Sequence, residues 1–312
     1  MTVGGATGIE IEGLVKHYGR KVAVDGVSLE VGHGEAFGYL GPNGAGKTTT
    51  IRCLLGLIAP TAGRLRVLGH DVRTELPAAL GEIGYLPGEF NLWPQLTGRE
   101  CLSYLGSLHP RKPERLRELC DRFELSQADL DRQVRLYSRG MKQKVGLVQA
   151  FQHRPSLAVL DEPTEGLDPV MKERFVDLLA EHRKAGGTLF LSSHILSEVE
   201  EATTRVAVVR GGRLVRVGST RDLTGERIRH CTVTLKERRD TGPLAGVQGV
   251  SELRADPGGT IVTFEFRGDM EPLIRVMAAM PVGEFLAEPE RLSEAFFEVY
   301  GESDPDRDGG GP

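Results

Sequence analysis

A glycine-rich stretch early in the chain has the composition of a phosphate-binding loop. The sequence from Gly41 to Thr49 reads GPNGAGKTT and fits the pattern G-x-x-x-x-G-K-[ST]. Glycines allow backbone N–H groups to surround phosphate oxygens at a helix N-terminus, and a lysine adds positive charge there. We therefore predict that Lys47 contacts the β- and γ-phosphates of a nucleotide and that Thr48 offers its hydroxyl to Mg²⁺. The residues assigned to nucleotide binding are Gly41, Pro42, Asn43, Gly44, Ala45, Gly46, Lys47, Thr48 and Thr49.

Two adjacent carboxylates follow a later apolar run. Leu157 to Leu160 are apolar, and Asp161 and Glu162 come directly after them. Paired acids at the end of a strand are often only solvated. Beside a phosphate loop, however, one acid suits the binding of Mg²⁺ and the other suits the polarisation of an attacking water. We assign Asp161, together with Thr48, to the metal and Glu162 to the water.

A histidine that ends another apolar run is the third candidate. His194 closes the sequence LFLSSH. Open α/β sheets bind ligands at the carboxyl ends of their strands, so a side chain at this position can reach the same ligand as the acids. A single histidine is more often structural, and the sequence around His194 does not by itself assign it a role.

These candidates need strands that alternate with helices to bring them together. The apolar runs at Ala36–Leu40, before Asp161 and before His194 each lead into a helical pattern. That alternation predicts a parallel sheet with crossover helices. Because the carboxyl ends of parallel strands lie at one edge of a sheet, the phosphate loop, the acids and the histidine are expected to meet there.

Further elements surround this core. Residues 9–15 and 22–31 alternate apolar and polar side chains, which predicts an N-terminal antiparallel β subdomain. Apolar residues at helical spacing between Leu116 and Phe123 predict a helical insertion over about 92–150. The predicted fold class is α/β, with these two additions and a small C-terminal α+β domain; with its phosphate loop, the core resembles that of a P-loop NTPase of the RecA-like type.

Changes in composition give the predicted domain boundaries. The strand-rich pattern after residues 222–227 differs from the pattern before them, so we place a linker there. The last residues are mostly glycine, proline and acids, which predicts disorder. The predicted parts are an N-terminal extension (1–8), the nucleotide-binding domain (9–222), a C-terminal accessory domain (223–300) and a disordered tail (301–312).

Charge and hydropathy narrow the classes of partner. A net charge of −5 at pH 7 argues against nucleic acid as a partner. No run of about 18 apolar residues is present, as a membrane span would require, so we predict no direct span and a cytoplasmic location. The cysteines lack metal-ligand spacing, which favours free thiols in a reducing compartment. They are Cys53, Cys101, Cys120 and Cys231.

The sequence YSRGMKQ, which ends at Gln143, precedes a helix and lies upstream of the paired acids. With these motifs in this order, residues 9–223 resemble the ATPase subunit of ATP-binding cassette (ABC) transporters. The resemblance implies ATP and Mg²⁺ as ligands, adenine stacked on Tyr18, and His194 as a switch histidine on the γ-phosphate. It implies a dimer contact at Asp168. It also implies that the signature residues face the nucleotide of a second copy; these are Ser138, Arg139, Gly140 and Met141.

The chain departs from the family pattern in the segments that would face the second copy. Arg139 replaces a usual glycine of the signature, and Glu165 stands where such proteins more often have a small or amide residue. Arg139 could reach phosphate or fold outward, and the sequence leaves both arrangements open.

A third departure concerns the metal. In the resembled family, the strand that corresponds to IGYLP leads to a glutamine that touches Mg²⁺ and the attacking water, and here Gly88 stands at that position. Either Glu89 or the later Gln95 turns inward, or the remaining ligands and waters complete the metal shell. We favour Glu89. The neighbouring apolar residues Phe90, Leu92 and Trp93 could be ordinary packing, but as a group they are candidates for a permease-docking surface.

The resemblance also predicts the function. The C-terminal ending LSEAFFEVYG is similar to ATPase subunits of the ABC-2 export class, including those of drug or antibiotic efflux. The predicted function is an ATP-hydrolysing motor subunit of an exporter. It would work as a homodimer, or as a heterodimer with a related cassette, on a separate permease at the inner face of the cell membrane. The alternative is a soluble ABC ATPase that acts on nucleic acid or ribosomes, and an unrelated P-loop kinase or GTPase would lack the signature.

Overall fold

The computed structural model describes residues 7–220 and 228–289, and the chain divides into two compact units, Met1–Gly218 and Ser219–Pro312. The predicted linker at 222–227 and the predicted tail at 301–312 lie outside the described residues, as does most of the predicted N-terminal extension. Among the described residues, no helix combines the length and the apolar character that crossing a membrane requires.

The strands of the first unit form two sheets. An antiparallel sheet has the order β2-β1-β4-β5, and a larger sheet has the order β10-β9-β3-β8-β7-β6. In chain order these strands are β1 (Thr7–Tyr18), β2 (Lys21–Gly32), β3 (Ala36–Leu40), β4 (Ala62–Val67), β5 (His70–Asp71), β6 (Ile83–Leu86), β7 (Leu157–Asp161), β8 (Thr188–Ser193), β9 (Arg205–Arg210) and β10 (Arg213–Ser219).

The antiparallel sheet agrees with the predicted alternation. Ile9, Ile11 and Leu14 of β1 are buried, while Glu12 and Gly13 between them are exposed. Since β1 begins at Thr7, the last residues of the predicted extension belong to this sheet.

The larger sheet positions the candidate residues. Strands β6, β7, β8, β3 and β9 pair in parallel, with Leu40 opposite Ser193 and Asp161 opposite Ser192. All residues of β3, β7 and β8 are buried, as expected for a sheet covered on both faces. Burial of a large apolar side chain contributes about 1.5–3 kcal/mol, so this sheet is a rigid base for the residues at its carboxyl edge.

Helices follow the strands of the larger sheet and also form the predicted insertion. The insertion includes two short helices and one longer helix between β6 and the signature, and its inner side belongs to the same hydrophobic core as β7 and β8. In chain order the helices are α1 (Lys47–Leu54), α2 (Leu76–Leu80), α3 (Gly98–Ser107), α4 (Leu116–Arg122), α5 (Gln127–Leu130), α6 (Arg139–Phe151), α7 (Pro169–Lys184) and α8 (Leu196–Ala202).

Side chains at the ends of the insertion helices explain where they begin. Thr97 accepts a hydrogen bond from the backbone N–H of Glu100, and Glu100 accepts one from Thr97 in return, which is a capping box. Ser126 and Asp129 repeat the arrangement at α5. Each such cap typically contributes about 1 kcal/mol, so these short helices have sequence-encoded start points.

The second unit is a four-stranded antiparallel sheet covered by helices on one face. The sheet has the order β12-β13-β11-β14, and its buried side chains, such as Val233 and Phe264, pack against Leu273. The elements are β11 (Ile228–Leu235), α9 (Gly242–Ala245), β12 (Val250–Ala255), β13 (Ile261–Arg267), α10 (Met270–Ala278) and β14 (Val282–Pro289). The four cysteines of the chain, one of them in β11, are free and buried.

Candidate active site

A cavity of about 250 Å³ lies at the carboxyl edge of the larger sheet. The phosphate loop, the end of β1 and Glu162 surround it, so residues from distant parts of the sequence line one space. Its lining residues are Tyr18, Lys21, Ala23, Pro42, Asn43, Gly44, Gly46, Lys47, Thr48, Thr49 and Glu162.

The phosphate loop connects β3 to α1. Gly46 precedes the helix with φ 101°, and a Cβ atom there would lie 2.5 Å from the carbonyl oxygen of Ala23. The close approach and the positive φ both require glycine. Lys47, which is only 6% exposed, donates hydrogen bonds to the carbonyl oxygens of Gly41 (2.7 Å) and Pro42 (3.2 Å). Hydrogen bonds to two carbonyl oxygens of the phosphate loop therefore fix the position of the ammonium group.

Oxygen atoms suited to a divalent cation lie beside the loop. The hydroxyl of Thr48 donates to Asp161 Oδ2 at 2.7 Å, and the hydroxyl of Ser192 donates to Asp161 Oδ1. Hydroxyl and carboxylate oxygens are the ligands that Mg²⁺ prefers, so Thr48 and Asp161 fit such an ion. Nearby in β6, burial raises the pKa of Tyr85 to about 12, with a smaller contribution from the negative charge of Asp161. The phenol stays protonated at neutral pH.

Glu162 connects the phosphate loop to His194. One carboxylate oxygen, Oε1, lies 3.1 Å from Lys47 Nζ, and the other, Oε2, lies 2.8 Å from His194 Nδ1. The Glu162 side chain is 17% exposed, so its carboxylate is accessible from the cavity. The backbone of Glu162 has φ 49°, a left-handed conformation that is uncommon outside glycine. Residues in such conformations often belong to functional sites.

Tyr18 stands at the rim of the cavity, at the end of β1. Its ring is 47% exposed, and Lys16 Nζ lies 5.1 Å from the ring centroid. A half-exposed aromatic ring provides a flat surface on which a base can stack.

Gly88 lies next to the candidate metal ligand, whereas Glu89 does not contact it. A Cβ atom at Gly88 would be 3.3 Å from Asp161 Oδ2. Glu89 is exposed, and within residues 7–220 and 228–289 its carboxylate has neither an ion pair nor a hydrogen bond. Gln95 is likewise exposed. The position closest to Asp161 in this segment is thus the one that has no side chain.

The signature residues do not line the cavity of their own chain. Ser138 caps α6 by accepting a hydrogen bond from the N–H of Met141 at 3.2 Å, and both Ser138 and Arg139 are exposed. Asp168 similarly caps α7, accepting from the N–H of Met171 at 3.0 Å. In a single chain Ser138 and Asp168 therefore cap helices, and both are exposed to another molecule.

The two residues that depart from the family pattern contact each other. The guanidinium of Arg139 forms an ion pair with the carboxylate of Glu165, and its side-chain stem lies over Gly166. In the single chain the guanidinium of Arg139 is thus directed toward the loop that follows Glu162. With side chains 66% and 40% exposed, such a pair contributes about 0–1 kcal/mol, so it is easily exchanged for another anion.

Burial divides the predicted docking group. Leu92 is 8% exposed and belongs to the core, so the prediction of a docking role was wrong for this residue. Phe90 is partly buried and packs near Gly146 of α6, and its docking role stays a prediction. Trp93 is 43% exposed and forms an edge-to-face pair with Tyr104 at a centroid distance of 5.1 Å. Trp93 and Tyr104 therefore form an exposed aromatic surface on the helical insertion.

Gln143 was missed as a site residue although it belongs to the quoted motif. Its side chain is 5% exposed, and its amide nitrogen donates to the carbonyl oxygen of Pro163 at 2.7 Å. The sequence shows a polar residue on the buried face of an amphipathic helix, which is the signal that could have found it.

Similar proteins agree with these motifs. A family model described as ABC transporter matches residues 24–165. The daunorubicin resistance ATP-binding protein DrrA3 of Streptomyces coeruleorubidus is 35% identical over 310 residues, covering 95% of this chain and 96% of that protein. The Nod factor export ATP-binding protein I of Rhizobium etli is 34% identical over 300 residues, covering 95% of this chain and 94% of that protein.

Solved structures share the fold. The structure of an ATP-binding subunit of an ABC transporter aligns with a TM-score of 0.65 at 29% identity, covering 70% of this chain and 92% of that one. A bacterial ABC transporter cassette solved as a dimer aligns with a TM-score of 0.63 at 23% identity, covering 68% and 98% of the two chains. The predicted α/β P-loop fold class is confirmed. With relatives matched over nearly their whole length, the chain belongs to the family of ABC transporter ATP-binding proteins.

Proposed function

We propose that the chain is the ATP-hydrolysing motor subunit of an exporter and that it works as a dimer on a separate membrane permease. The observation that supports this most is the arrangement at the cavity, where Lys47, Glu162 and His194 meet at the phosphate loop. Signature residues lie outside the lining of that cavity, so a second copy is needed to bring a signature to each nucleotide.

Six residues at the cavity and beside it have specific roles in this proposal. Lys47 binds the β- and γ-phosphates after exchanging the Glu162 carboxylate for phosphate oxygens, and Tyr18 stacks on adenine. Thr48 and Asp161 hold Mg²⁺, which, when bound, neutralises the charge of the phosphates. The released carboxylate of Glu162 polarises the attacking water, and His194 contacts the γ-phosphate.

The proposed dimer is head-to-tail, with two ATP molecules between the subunits. Ser138, Arg139, Gly140 and Met141 of one copy face the ATP of the other, and Asp168 lies at the contact between them. The exposure of Ser138 and of Asp168 is consistent with that role. A heterodimer with a related cassette would have the same geometry.

The exporter class and the permease are supported by the relatives. The matched proteins include a daunorubicin resistance protein and a Nod factor export protein, each over at least 94% of its length. The subunit would bind the permease at the inner face of the cell membrane, and Trp93 with Tyr104 is the proposed contact surface. A role on nucleic acid or ribosomes has less support, because the net charge is −5.

The chain, purified from detergent-solubilised membranes of its native host, is expected to bring with it a membrane protein that raises its rate of ATP hydrolysis in liposomes. Recovery of that protein should fall for Trp93→Asp and stay unchanged for Leu57→Asp, because Leu57 is 58% exposed but lies outside the proposed surface. Recovery of ribosomes or nucleic acid, with no membrane protein that stimulates hydrolysis, would contradict the proposal.

The metal site gives a second prediction. Gly88→Gln should lower the Mg²⁺ concentration that half-saturates hydrolysis, because an amide would enter the space beside Asp161 Oδ2. Glu89→Ala should raise that concentration about threefold, because the proposed role of its carboxylate is to turn inward toward Mg²⁺ when the nucleotide binds. The control is Glu12→Ala, which removes an exposed acid from β1. Unchanged Mg²⁺ dependence in both variants would remove Glu89 from the site.

A further inference from the structure

The backbone at Glu162 is held in a conformation that the residue does not adopt by preference. Its φ of 49° is left-handed, and this conformation costs an L-residue with a Cβ atom about 1–2 kcal/mol. The conformation follows directly after β7 and sends the carboxylate toward Lys47 and His194. Interactions with neighbouring groups must therefore stabilise the backbone conformation of Glu162.

Three groups bind the peptide units around Glu162. The N–H of Glu162 donates to the carbonyl oxygen of Ser192 at 3.1 Å, and its carbonyl oxygen accepts from the N–H of Glu165 at 3.3 Å. The third group is the side-chain amide of Gln143. Its Nε2 atom is 2.7 Å from the carbonyl oxygen of Pro163 and 3.4 Å from that of Glu162. One side chain thus contacts consecutive carbonyls of the turn that sets the direction of the carboxylate.

Close packing brings Gln143 to this turn. A Cβ atom at Gly146 would lie 2.5 Å from Leu86 Cδ1, and one at Gly84 would lie 2.1 Å from the carbonyl oxygen of Ala150. Helix α6 can therefore rest directly on β6, which pairs with β7. Gln143 lies in the second turn of α6 and is 5% exposed. Its side chain therefore contacts the backbone that follows β7 from the buried face of the helix.

The same contacts connect the signature to the hydrolytic residue of its own chain. Ser138 and Gln143 are on the same helix, and a Cβ atom at Gly140 would be 2.5 Å from the carbonyl oxygen of Gly166. The first turn of α6 and the loop after Glu162 are therefore packed as one piece. A movement of α6 would be transmitted through Gln143 to the carbonyl of Glu162.

We infer that Gln143 is a positioning residue for hydrolysis: its amide holds the turn at Glu162 so that the carboxylate faces the water attacking the γ-phosphate. This inference rests on the role proposed for Glu162. Within residues 7–220 and 228–289, the side chain of Gln143 hydrogen-bonds to this turn and is not part of the cavity lining, so it acts on the rate of hydrolysis and not on the affinity for ATP.

The test is Gln143→Met, which keeps the length of the side chain and removes the donor. We expect kcat to fall roughly tenfold to a hundredfold, since small misplacements of a reacting group have effects of that size, while half-saturating ATP changes less than about twofold. The matched control is Gln152→Met. Gln152 follows α6, is 1% exposed, and its amide atoms have no hydrogen-bond partner in the described part of the chain. This control should leave kcat unchanged.

Repeating the test in a second variant of the chain distinguishes a positioning role of Gln143 from a merely structural one. In Glu162→Gln, the residue to be positioned no longer acts as a base, so adding Gln143→Met should lower the residual rate no further. A structural role would lower the rate and the ATP affinity in both backgrounds. Should Gln143→Met fail to fold, Gln143→Asn keeps an amide on a side chain too short to reach Pro163, and the same loss in kcat is expected.

The outcomes distinguish this inference from the proposed function. Full turnover of Gln143→Met alongside loss of turnover in Glu162→Gln would overturn the inference alone. Full turnover in both variants would overturn the role of Glu162 and the inference with it.

Discussion

Replacement of Glu162 by glutamine is expected to lower ATP hydrolysis by about 10²–10⁴-fold, which is the usual contribution of a general base. Glutamine has the same shape and can keep a contact with Lys47, which lies 3.1 Å from Oε1, but its amide cannot accept a proton from water. ATP affinity should therefore be retained or increased. Single-turnover hydrolysis and equilibrium binding of ATP measure the two effects separately.

Glu165→Gln is the matched control for that variant. It removes the same charge from a nearby position of the same loop, where the carboxylate pairs with Arg139 and is 40% exposed. Its rate should stay within a few-fold of the unmodified chain because an exposed ion pair contributes little. A Glu162→Gln variant that hydrolyses ATP at an undiminished rate would contradict the assignment of Glu162.

Lys47→Met is expected to weaken ATP binding by roughly 10- to 100-fold and to abolish hydrolysis at ordinary ATP concentrations. A hydrogen bond to a charged group is worth about 1.5–3 kcal/mol, and methionine keeps the length of the side chain without its charge. Lys47 is 6% exposed and donates to the carbonyl oxygen of Gly41 at 2.7 Å, so its ammonium group is held in place at the phosphate loop.

Lys21→Met is the control for Lys47, because Lys21 lines the same cavity but is exposed. Its effect on ATP affinity should be at most a few-fold. Equal losses in the two variants would mean that the cavity attracts ATP by general positive charge and not by a specific contact at the loop. Titration of a fluorescent ATP analogue into each variant decides between these results.

Residues that a local motif identifies could be predicted from the sequence. The phosphate loop has its own signature in the order of glycines, lysine and threonine, and Asp161 with Glu162 follows a run whose burial is plain from its composition. That these segments meet follows from the parallel sheet, since Leu40 and Asp161 end strands that run in the same direction. The motif and the strands that position it are both visible in short stretches of sequence around the site residues.

Contacts that depend on how α6 packs could not be predicted in the same way. Two contacts depend on how closely α6 packs against β6. They are the ion pair of Arg139 with Glu165 and the hydrogen bond of Gln143 to Pro163. The packing distance between α6 and β6 cannot be read from the sequence. Leu92 lies in the core, so the predicted docking group was wrong for this residue, whereas Phe90 is partly buried and Trp93 is exposed.

The central claim is that two copies of the chain enclose ATP between the phosphate loop of one and the signature of the other. Light scattering combined with a count of bound nucleotide, on Glu162→Gln with and without ATP and Mg²⁺, tests it most directly. We expect a monomer without ATP and a dimer that contains two ATP molecules, and a Ser138→Arg variant in the same background should bind ATP but stay monomeric. A monomer that is saturated with ATP and does not dimerise at any protein concentration would show that ATP is not enclosed between two copies.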